Sequence, residues 1–114
     1  MLTVALAQYP SGRGCMEIVA AAKAAAAEIV VFPEMYSNGY ACFDLNDPAA
    51  EARWCAEAES LEGDFVGRFR EAAKAHRVHV VSTFLERAEP KPFNAALLID
   101  PGGHHAGKSS REAP

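Results

Sequence analysis

Two short apolar runs on either side of an alanine-rich segment restrict this chain to few folds. The runs are Thr3–Gln8 and Ile29–Phe32, and the segment between them is Cys15–Ala27. Alanine has the highest helix propensity, and its small side chain lets a helix lie close to a sheet. Both runs are nearly continuous in apolar residues, which is typical of strands that helices bury. The sequence therefore predicts a β-α-β unit with adjacent, parallel strands and a right-handed crossover.

Two further helices are predicted in the middle of the chain. The first has Asp47 as its N-cap and Pro48 at its first helical position, and Trp54 is its expected anchor. The second extends over about Asp64–His76, where apolar residues recur at steps of three and four on one face. The segment "SLEGDF" separates the two helices.

Two more strands and a turn follow these helices. The strands are predicted at Val78–Leu85 and Phe93–Asp100, and "DPGG" at Asp100–Gly103 is a turn that returns the chain antiparallel. The last segment, "HHAGKSSREAP", has no hydrophobic periodicity. We therefore expect the returning strand to begin there and then to fray into a polar tail.

Size and charge limit the classes of function. With 114 residues, 50% of them apolar, the chain fits one small globular domain. Its 11 basic and 15 acidic residues give a net charge of -4 without a basic cluster, so we expect neither nucleic acid nor a membrane as a partner. No apolar run approaches the roughly 20 residues of a membrane span, and the N-terminus lacks a secretory pattern. We expect a cytoplasmic protein.

The cysteines and histidines do not form a metal-ligand pattern. Cys15, Cys42 and Cys55 lack CxxC spacing, and we expect them to be reduced thiols. The histidines, none of which has metal-ligand spacing to a cysteine, are His76, His79, His104 and His105. We therefore expect no metal site and no cofactor.

A carboxylate follows the second predicted strand directly, in the stretch "EIVVFPEMYSNGY". Pro33 cannot donate a ladder hydrogen bond, so sheet pairing ends just before Glu34. Side chains at the carboxyl ends of such strands face the crevice where ligands bind, and we expect Glu34 in a concave, partly open site. Desolvation near the apolar strand should raise its pKa toward the range of a general base. The alternative is a glutamate that caps the following turn or pairs with an arginine.

The order and spacing of several segments resemble those of the nitrilase, or carbon-nitrogen hydrolase, superfamily. The segments are "VALAQ", the alanine-rich helix, "IVVFPEMYSNGY", "AHRVHVV", "FNAALLIDPGG" and "GK". The most specific part is Phe32-Pro33-Glu34 followed by Gly39-Tyr40.

The resemblance extends to Lys108 and implies a division of the chain. Residues 1–108 are expected to form an incomplete carbon-nitrogen hydrolase domain, and residues 109–114 a divergent polar tail. The implied fold class is α/β, as the N-terminal half of an α-β-β-α sandwich with a mixed sheet and helices on one face.

The chemistry that this resemblance implies uses three side chains. A cysteine thiolate attacks the carbon of an amide or nitrile, a glutamate carries the proton to the leaving nitrogen, and a lysine stabilises the oxyanion. Glu34 matches the catalytic glutamate. Arg111 falls where the lysine belongs, and Lys108 could replace it only if the register slipped. Tyr40 is a candidate substrate-binding residue, with a packed loop aromatic as the alternative.

Two other polar residues are weighed against this chemistry. Cys42 begins "CFDL", which is similar to the nucleophile segment of the family, but no apolar strand precedes it. We interpret Cys42 as a loop cysteine that packs as a small hydrophobe. Asn94 is interpreted as a residue that bonds to backbone rather than as a catalyst.

The predicted function is that of the N-terminal portion of a carbon-nitrogen hydrolase that cleaves a small amide or nitrile. The family pattern is lost abruptly after Lys108, so we expect a truncated chain that is inactive alone and belongs to a homo-oligomer when complete. The alternative is a non-catalytic binding or oligomerisation module derived from the same fold, whose sheet would have one bare face.

Overall fold

Strands and helices alternate along the first two thirds of the chain, and two long antiparallel strands complete the last third. The computed structural model describes residues 2–7, 15–34, 36–38, 44 and 46–112. The strands are β1 (Val4–Leu6), β2 (Ile29–Val31), β3 (His79–Glu86), β4 (Phe93–Ile99) and β5 (His105–Glu112). The helices are α1 (Cys15–Ala24), α2 (Ala50–Ala56) and α3 (Asp64–His76), with a 3-10 turn at Tyr36–Asn38.

The strands form one mixed sheet in the order β1-β2-β3-β4-β5. β1 pairs with β2 in parallel, with Val4 opposite Ile29, and β2 pairs with β3 in parallel, with Ile29 opposite His79. The predicted β-α-β unit with adjacent parallel strands is therefore confirmed, although both strands are shorter than the apolar runs that predicted them. The described helices include none that is long and apolar enough to cross a membrane.

The last two strands extend the sheet by antiparallel pairing. Asn94 of β4 lies opposite Arg111 of β5, Leu97 lies opposite Lys108, and the pairing is irregular only between Leu98 and Ile99. Our expectation that the returning strand frays into a polar tail is wrong, since β5 continues to Glu112. Pairing uses backbone groups, so an edge strand needs no apolar side chains of its own, and polar edges protect a sheet from unwanted pairing.

Helices α1 and α3 cover one face of the sheet. Alternate residues of the strands, among them Val30, Phe84 and Leu97, form a single buried core with residues of both helices. The short helix α2 lies on the opposite face of the sheet. Its Trp54 packs against Leu85, whose side chain points to that face. The apolar periodicity of α3 thus predicted the covered face correctly.

The opposite face has much less cover where the strands begin. We call this part the uncovered face; its residues are Val4, Leu6, Ile29, Val31, Val81 and Leu98. Val4 is 48% exposed and Leu6 is 67% exposed, and the other four side chains are half-buried. Large apolar side chains are seldom exposed next to one another in a monomer, so this face has the character of a contact surface.

Helix α2 begins later than predicted. Its first residue is Ala50 rather than Pro48, and no side chain forms an N-cap hydrogen bond. Asp47 instead accepts a hydrogen bond of 3.0 Å from the backbone N–H of Ala49 and one of 2.6 Å from Arg53. The aspartate therefore stabilises the turn before the helix.

Helix α1 is followed, two residues after its last residue, by an alanine with an unusual backbone conformation. Ala26 has φ 64°, in the left-handed region. The N–H of Ala26 bonds to the carbonyl of Lys23, and the N–H of Ala27 bonds to that of Ala22. This pattern is a Schellman motif, whose left-handed position is usually glycine because a Cβ there costs about 1–2 kcal/mol.

We predict that Ala26→Gly stabilises the chain by about 1 kcal/mol, because it removes this strain at the helix end. Urea unfolding at equilibrium measures the change. The matched control is Ala21→Gly, in the helical interior, which should destabilise by about 1 kcal/mol. Loss of stability in both variants would contradict the assignment of Ala26 as the strained position.

Candidate active site

The loop that carries Glu34 is fixed to the neighbouring strand. The Thr83 hydroxyl donates a hydrogen bond to the carbonyl of Pro33 and accepts one of 3.4 Å from the N–H of Tyr36. Two residues further along β3, the N–H of Leu85 donates a hydrogen bond of 2.9 Å to the Ser37 hydroxyl. Strand β3 therefore holds the chain on both sides of Glu34 at the carboxyl end of β2.

Aromatic contacts anchor the same loop to helix α3. The ring of Phe32 lies 4.7 Å from the ring of Phe69 at 90° and 5.0 Å from that of Tyr36 at 60°, measured between centroids. Each such edge-to-face contact stabilises the fold by about 0.5–1.5 kcal/mol beyond the stabilisation from burial of the rings. Glu34 lies between two buried aromatic residues, and its backbone position follows from their packing.

Glu34 meets two polar side chains from the antiparallel half of the sheet. Its Oε1 atom accepts hydrogen bonds from the Asn94 side-chain amide and from Arg111 Nη2, the latter over 2.5 Å. Asn94 and Arg111 lie opposite each other on β4 and β5. We call these three residues the Glu34 cluster. Residues 60 and 77 positions away in sequence thus converge on one carboxylate oxygen.

The environment of Glu34 favours its charged form. Hydrogen bonding to Arg111 is the largest cause that lowers its pKa, the bond from Asn94 is the next, and desolvation opposes them with a smaller effect. Our expectation of a raised pKa is wrong, because the side chain is 39% exposed and has two donors. The pairing with an arginine that we gave as the alternative is present, and the catalytic role of Glu34 stays a prediction.

Lys108 does not belong to the Glu34 cluster. Side chains alternate along a strand, so Lys108 and Arg111 point to opposite faces of the sheet. The Lys108 ammonium lies 2.6 Å from Oε2 of Glu86, a buried carboxylate at the end of β3. The register does not slip between β4 and β5 at this point, and Arg111 is the cation beside Glu34.

A large cleft lies on the side of the loop that faces helix α3. It has a volume of about 950 Å³, and its walls include Cys15, Tyr36, Ser37, Phe65 and Arg68. Glu34 is not among its lining residues, so this cleft is not the concave site that we expected around the carboxylate. Tyr40, the predicted substrate-binding residue, lies outside the described residues.

Neither described cysteine is placed as a nucleophile for Glu34. Cys15 is a buried free thiol at the start of α1, and burial is the main cause that raises its pKa, against a smaller opposite effect of Arg68. A raised pKa disfavours the reactive thiolate. Cys55 is a half-buried free thiol in α2, and Cys42 lies outside the described residues. Within the part of the chain that the structure describes, no three His, Cys, Asp or Glu residues could together hold a metal ion.

Asn94 is the site residue that sequence reasoning assigned incorrectly. We interpreted it as a residue that bonds to backbone, whereas its side chain donates to Glu34. One signal was present in the sequence: in "FNAALLID", asparagine is the only polar side chain among the buried residues of an apolar run. A buried amide requires a hydrogen-bond partner, and this requirement predicts a polar group opposite the strand.

Comparison with known proteins gives matches over most of the chain. Residues 3–112 match the family described as carbon-nitrogen hydrolase. The bromoxynil-specific nitrilase of Klebsiella pneumoniae subsp. ozaenae is 31% identical over 91 residues, which are 75% of this chain and 26% of that protein. The chain thus spans about a quarter of the length of this curated relative.

Solved structures share the fold. The carbon-nitrogen hydrolase from Helicobacter pylori G27 has a TM-score of 0.75 and 18% identity, covering 96% of this chain and 39% of that one. The NitFhit protein of C. elegans has a TM-score of 0.74 and 18% identity, and the match covers 97% of this chain and 29% of that one. The NitN amidase from Nesterenkonia sp. AN1 has a TM-score of 0.72 and 18% identity, and the match covers 97% of this chain and 44% of that one. The mixed sheet with its helices is therefore a partial nitrilase fold.

The lowered pKa of Glu34 predicts how its contribution to stability depends on pH. A depressed folded-state pKa gives stability that is fully present above the ordinary value of 4.5 and is lost as the pH falls through the folded-state pKa. We predict that Glu34→Gln destabilises the chain at about pH 7 and that the difference from the original chain shrinks on acidification below pH 4.5.

Urea unfolding of the original chain and of Glu34→Gln at several pH values measures this difference in the free energy of unfolding. Asp47 and Asp100 also have lowered pKa values, and their effects cancel because both chains contain them. In the Arg111→Gln background, Glu34→Gln should show a weaker pH dependence, since the largest cause of the shift is removed. An unchanged pH dependence in that background would contradict the assignment of Arg111 as the main partner.

Proposed function

The chain belongs to the carbon-nitrogen hydrolase family, and we propose that it forms the N-terminal part of an enzyme that cleaves a small amide or nitrile with Glu34 as the general base. The observation that carries this proposal is the Glu34 cluster. It places an ionised carboxylate and a guanidinium together at the carboxyl end of β2.

The proposed reaction assigns one task to each charge. Glu34 accepts the proton of a thiol, the thiolate attacks the amide or nitrile carbon, and negative charge develops on the former carbonyl oxygen or nitrile nitrogen. The Arg111 guanidinium lies beside this carboxylate and stabilises the developing charge, in the place where the resemblance puts a lysine. For an amide, Glu34 then returns the proton to the nitrogen, which leaves as ammonia or an amine, and water releases the acyl group.

The arginine at position 111 distinguishes this chain from the sequence pattern that it resembles, which has a lysine there. Its charge is spread over a planar group with several donors, whereas an ammonium is a compact point charge. Arg111 is 73% exposed and bonds to Glu34 through Nη2. In the proposed reaction it stabilises the oxyanion through another of its N–H groups, so the bond to Glu34 need not break.

The thiol of the proposed reaction comes from outside the described residues. In a glutamate-to-glutamine mutant of the amidase from Nesterenkonia sp. AN1, acrylamide has added to the active-site cysteine. In this chain Cys15 and Cys55 lie in helices α1 and α2, and neither belongs to the Glu34 cluster. The nucleophile is therefore proposed to belong to a part of the family fold that these 114 residues do not span, and Cys42 is the alternative within them.

A second function is favoured by the uncovered face. Val4 and Leu6 are exposed side by side on an edge strand, next to half-buried apolar residues of β2. Covering such a face gains about 25 cal/mol for each Å² of apolar surface removed from water. We propose self-association through this face as the alternative to catalysis.

The catalytic proposal is tested with the 114 residues alone and with the longest open reading frame that contains them. We predict that the 114 residues release no ammonia from small amides or nitriles, and that the longer product does. In the longer product Glu34→Gln should lower kcat by about 10²–10⁴-fold, because this is the usual contribution of a general base. Glu28→Gln, an exposed glutamate before β2, is the matched control and should leave kcat unchanged.

Two outcomes would contradict the proposal. Near-normal turnover of Glu34→Gln would remove Glu34 from the mechanism. Turnover by the 114 residues alone that disappears in Cys42→Ser would show that the nucleophile lies within the chain.

Self-association through the uncovered face predicts that the apparent molecular mass of the 114-residue chain rises with its concentration. Leu6→Lys should shift the equilibrium toward the monomer, because it places a charge on the uncovered face, and analytical ultracentrifugation measures this shift. Met16→Lys is the matched control, since Met16 is 41% exposed but lies on α1. Equal effects of the two variants, or a strictly monomeric chain, would contradict association through this face.

A further inference from the structure

Asn94 is a buried polar side chain on the face of β4 that points away from the helices α1 and α3. It is 7% exposed, and its neighbours Phe93 and Ala95 are half-buried and buried. An amide that is removed from water without a hydrogen-bond partner destabilises the folded chain. Here the amide nitrogen donates to Glu34 Oε1, so the contact with Glu34 satisfies the Asn94 donor.

Both donors of the Glu34 cluster bind the same oxygen atom. Asn94 Nδ2 and Arg111 Nη2 both donate to Oε1. Among the described residues, Oε2 accepts no hydrogen bond. Of the two oxygens, Oε2 is the one that the described residues leave for a further proton donor.

The two donors differ in how firmly they can hold the carboxylate. Arg111 is 73% exposed and has a long side chain on the edge strand β5. Asn94 has a short side chain, and its strand is paired on both sides. A short, buried side chain has fewer accessible rotamers, so its hydrogen bond fixes a direction as well as adding energy.

From this geometry we propose that Asn94 is the positioning residue for Glu34, fixing Oε1 so that Oε2 is the oxygen that takes the proton. The identity of that proton, from a thiol, rests on the proposed function; the orientation of the carboxylate does not. Arg111 adds charge to the same oxygen, while Asn94 determines which way the carboxylate faces.

The orientation is tested on the 114 residues by NMR, with ¹³C-labelled glutamate. The variant is Asn94→Leu, which keeps the shape of the side chain and removes the donor. We expect the side chain of Glu34 to change from one rotamer to rotamer averaging, seen in its Hα–Hβ couplings, and its pKa to rise. Asn94→Asp, with an acceptor in place of the donor, should raise the pKa of Glu34 further, because two carboxylates then face each other.

Controls separate positioning from a general loss of structure. Asn46→Leu changes an exposed asparagine in the turn before α2 and should leave the couplings and titration of Glu34 unchanged. Arg111→Ala should raise the pKa of Glu34 while the single rotamer persists. If Arg111→Ala causes rotamer averaging and Asn94→Leu does not, the proposal is overturned.

A measurement on the unaltered chain applies if the Asn94 variants do not fold. The side-chain amide protons of Asn94 should shift with the same midpoint as the Glu34 carboxyl carbon during titration. Independence of the two titrations would overturn the proposal.

In the longer product, Asn94→Leu should also move the acidic limb of the pH–rate profile to higher pH. An inactive longer product would contradict the proposed function, while the NMR result still decides the positioning role of Asn94.

Discussion

Helices α1 and α3 cover only one face of the five-stranded sheet, and the rest of the structure depends on this one-sided cover. Because strand side chains alternate, burial of Phe84 and Leu97 against the helices directs Leu85 and Asn94 to the other face. A shift of one residue in β4 would bury the Asn94 amide in the core. The packing of the covered face therefore fixes the register that brings Asn94 and Arg111 to Glu34.

The Glu34 cluster also shows why proximity to apolar strands does not by itself determine a pKa. Desolvation raises the pKa of a carboxyl group, whereas hydrogen bonds and cations that favour the carboxylate lower it. At Glu34 the second effect is larger, since a guanidinium and an amide both donate to Oε1 and water still reaches the side chain. Any layer that covers this face would strengthen both effects by excluding water, and the pairing with Arg111 would then matter more.

Local features made the fold and the position of Glu34 predictable from the sequence. The β-α-β unit follows from residues that are neighbours along the chain, and Pro33 marks the end of pairing beside Glu34. The partners of Glu34 were not predictable in this way, because they are set by the register of β4 and β5, 60 and 77 residues away. The full length of β5 was missed for a related reason: its polar side chains carry no periodic signal, and its stability comes from backbone pairing with β4.

The two proposed functions use different parts of the same sheet face. Along β4, Leu98, at the edge of the uncovered face, lies four positions from Asn94, or about 14 Å at 3.4 Å per residue. Across the sheet, four strand spacings of about 4.8 Å separate β1 from β5, or roughly 19 Å. A contact limited to Val4 and Leu6 would thus not reach Asn94 or Arg111. A layer that spans the sheet would cover both parts of this face, whereas association through the edge strand alone would leave the β4 and β5 members of the Glu34 cluster uncovered.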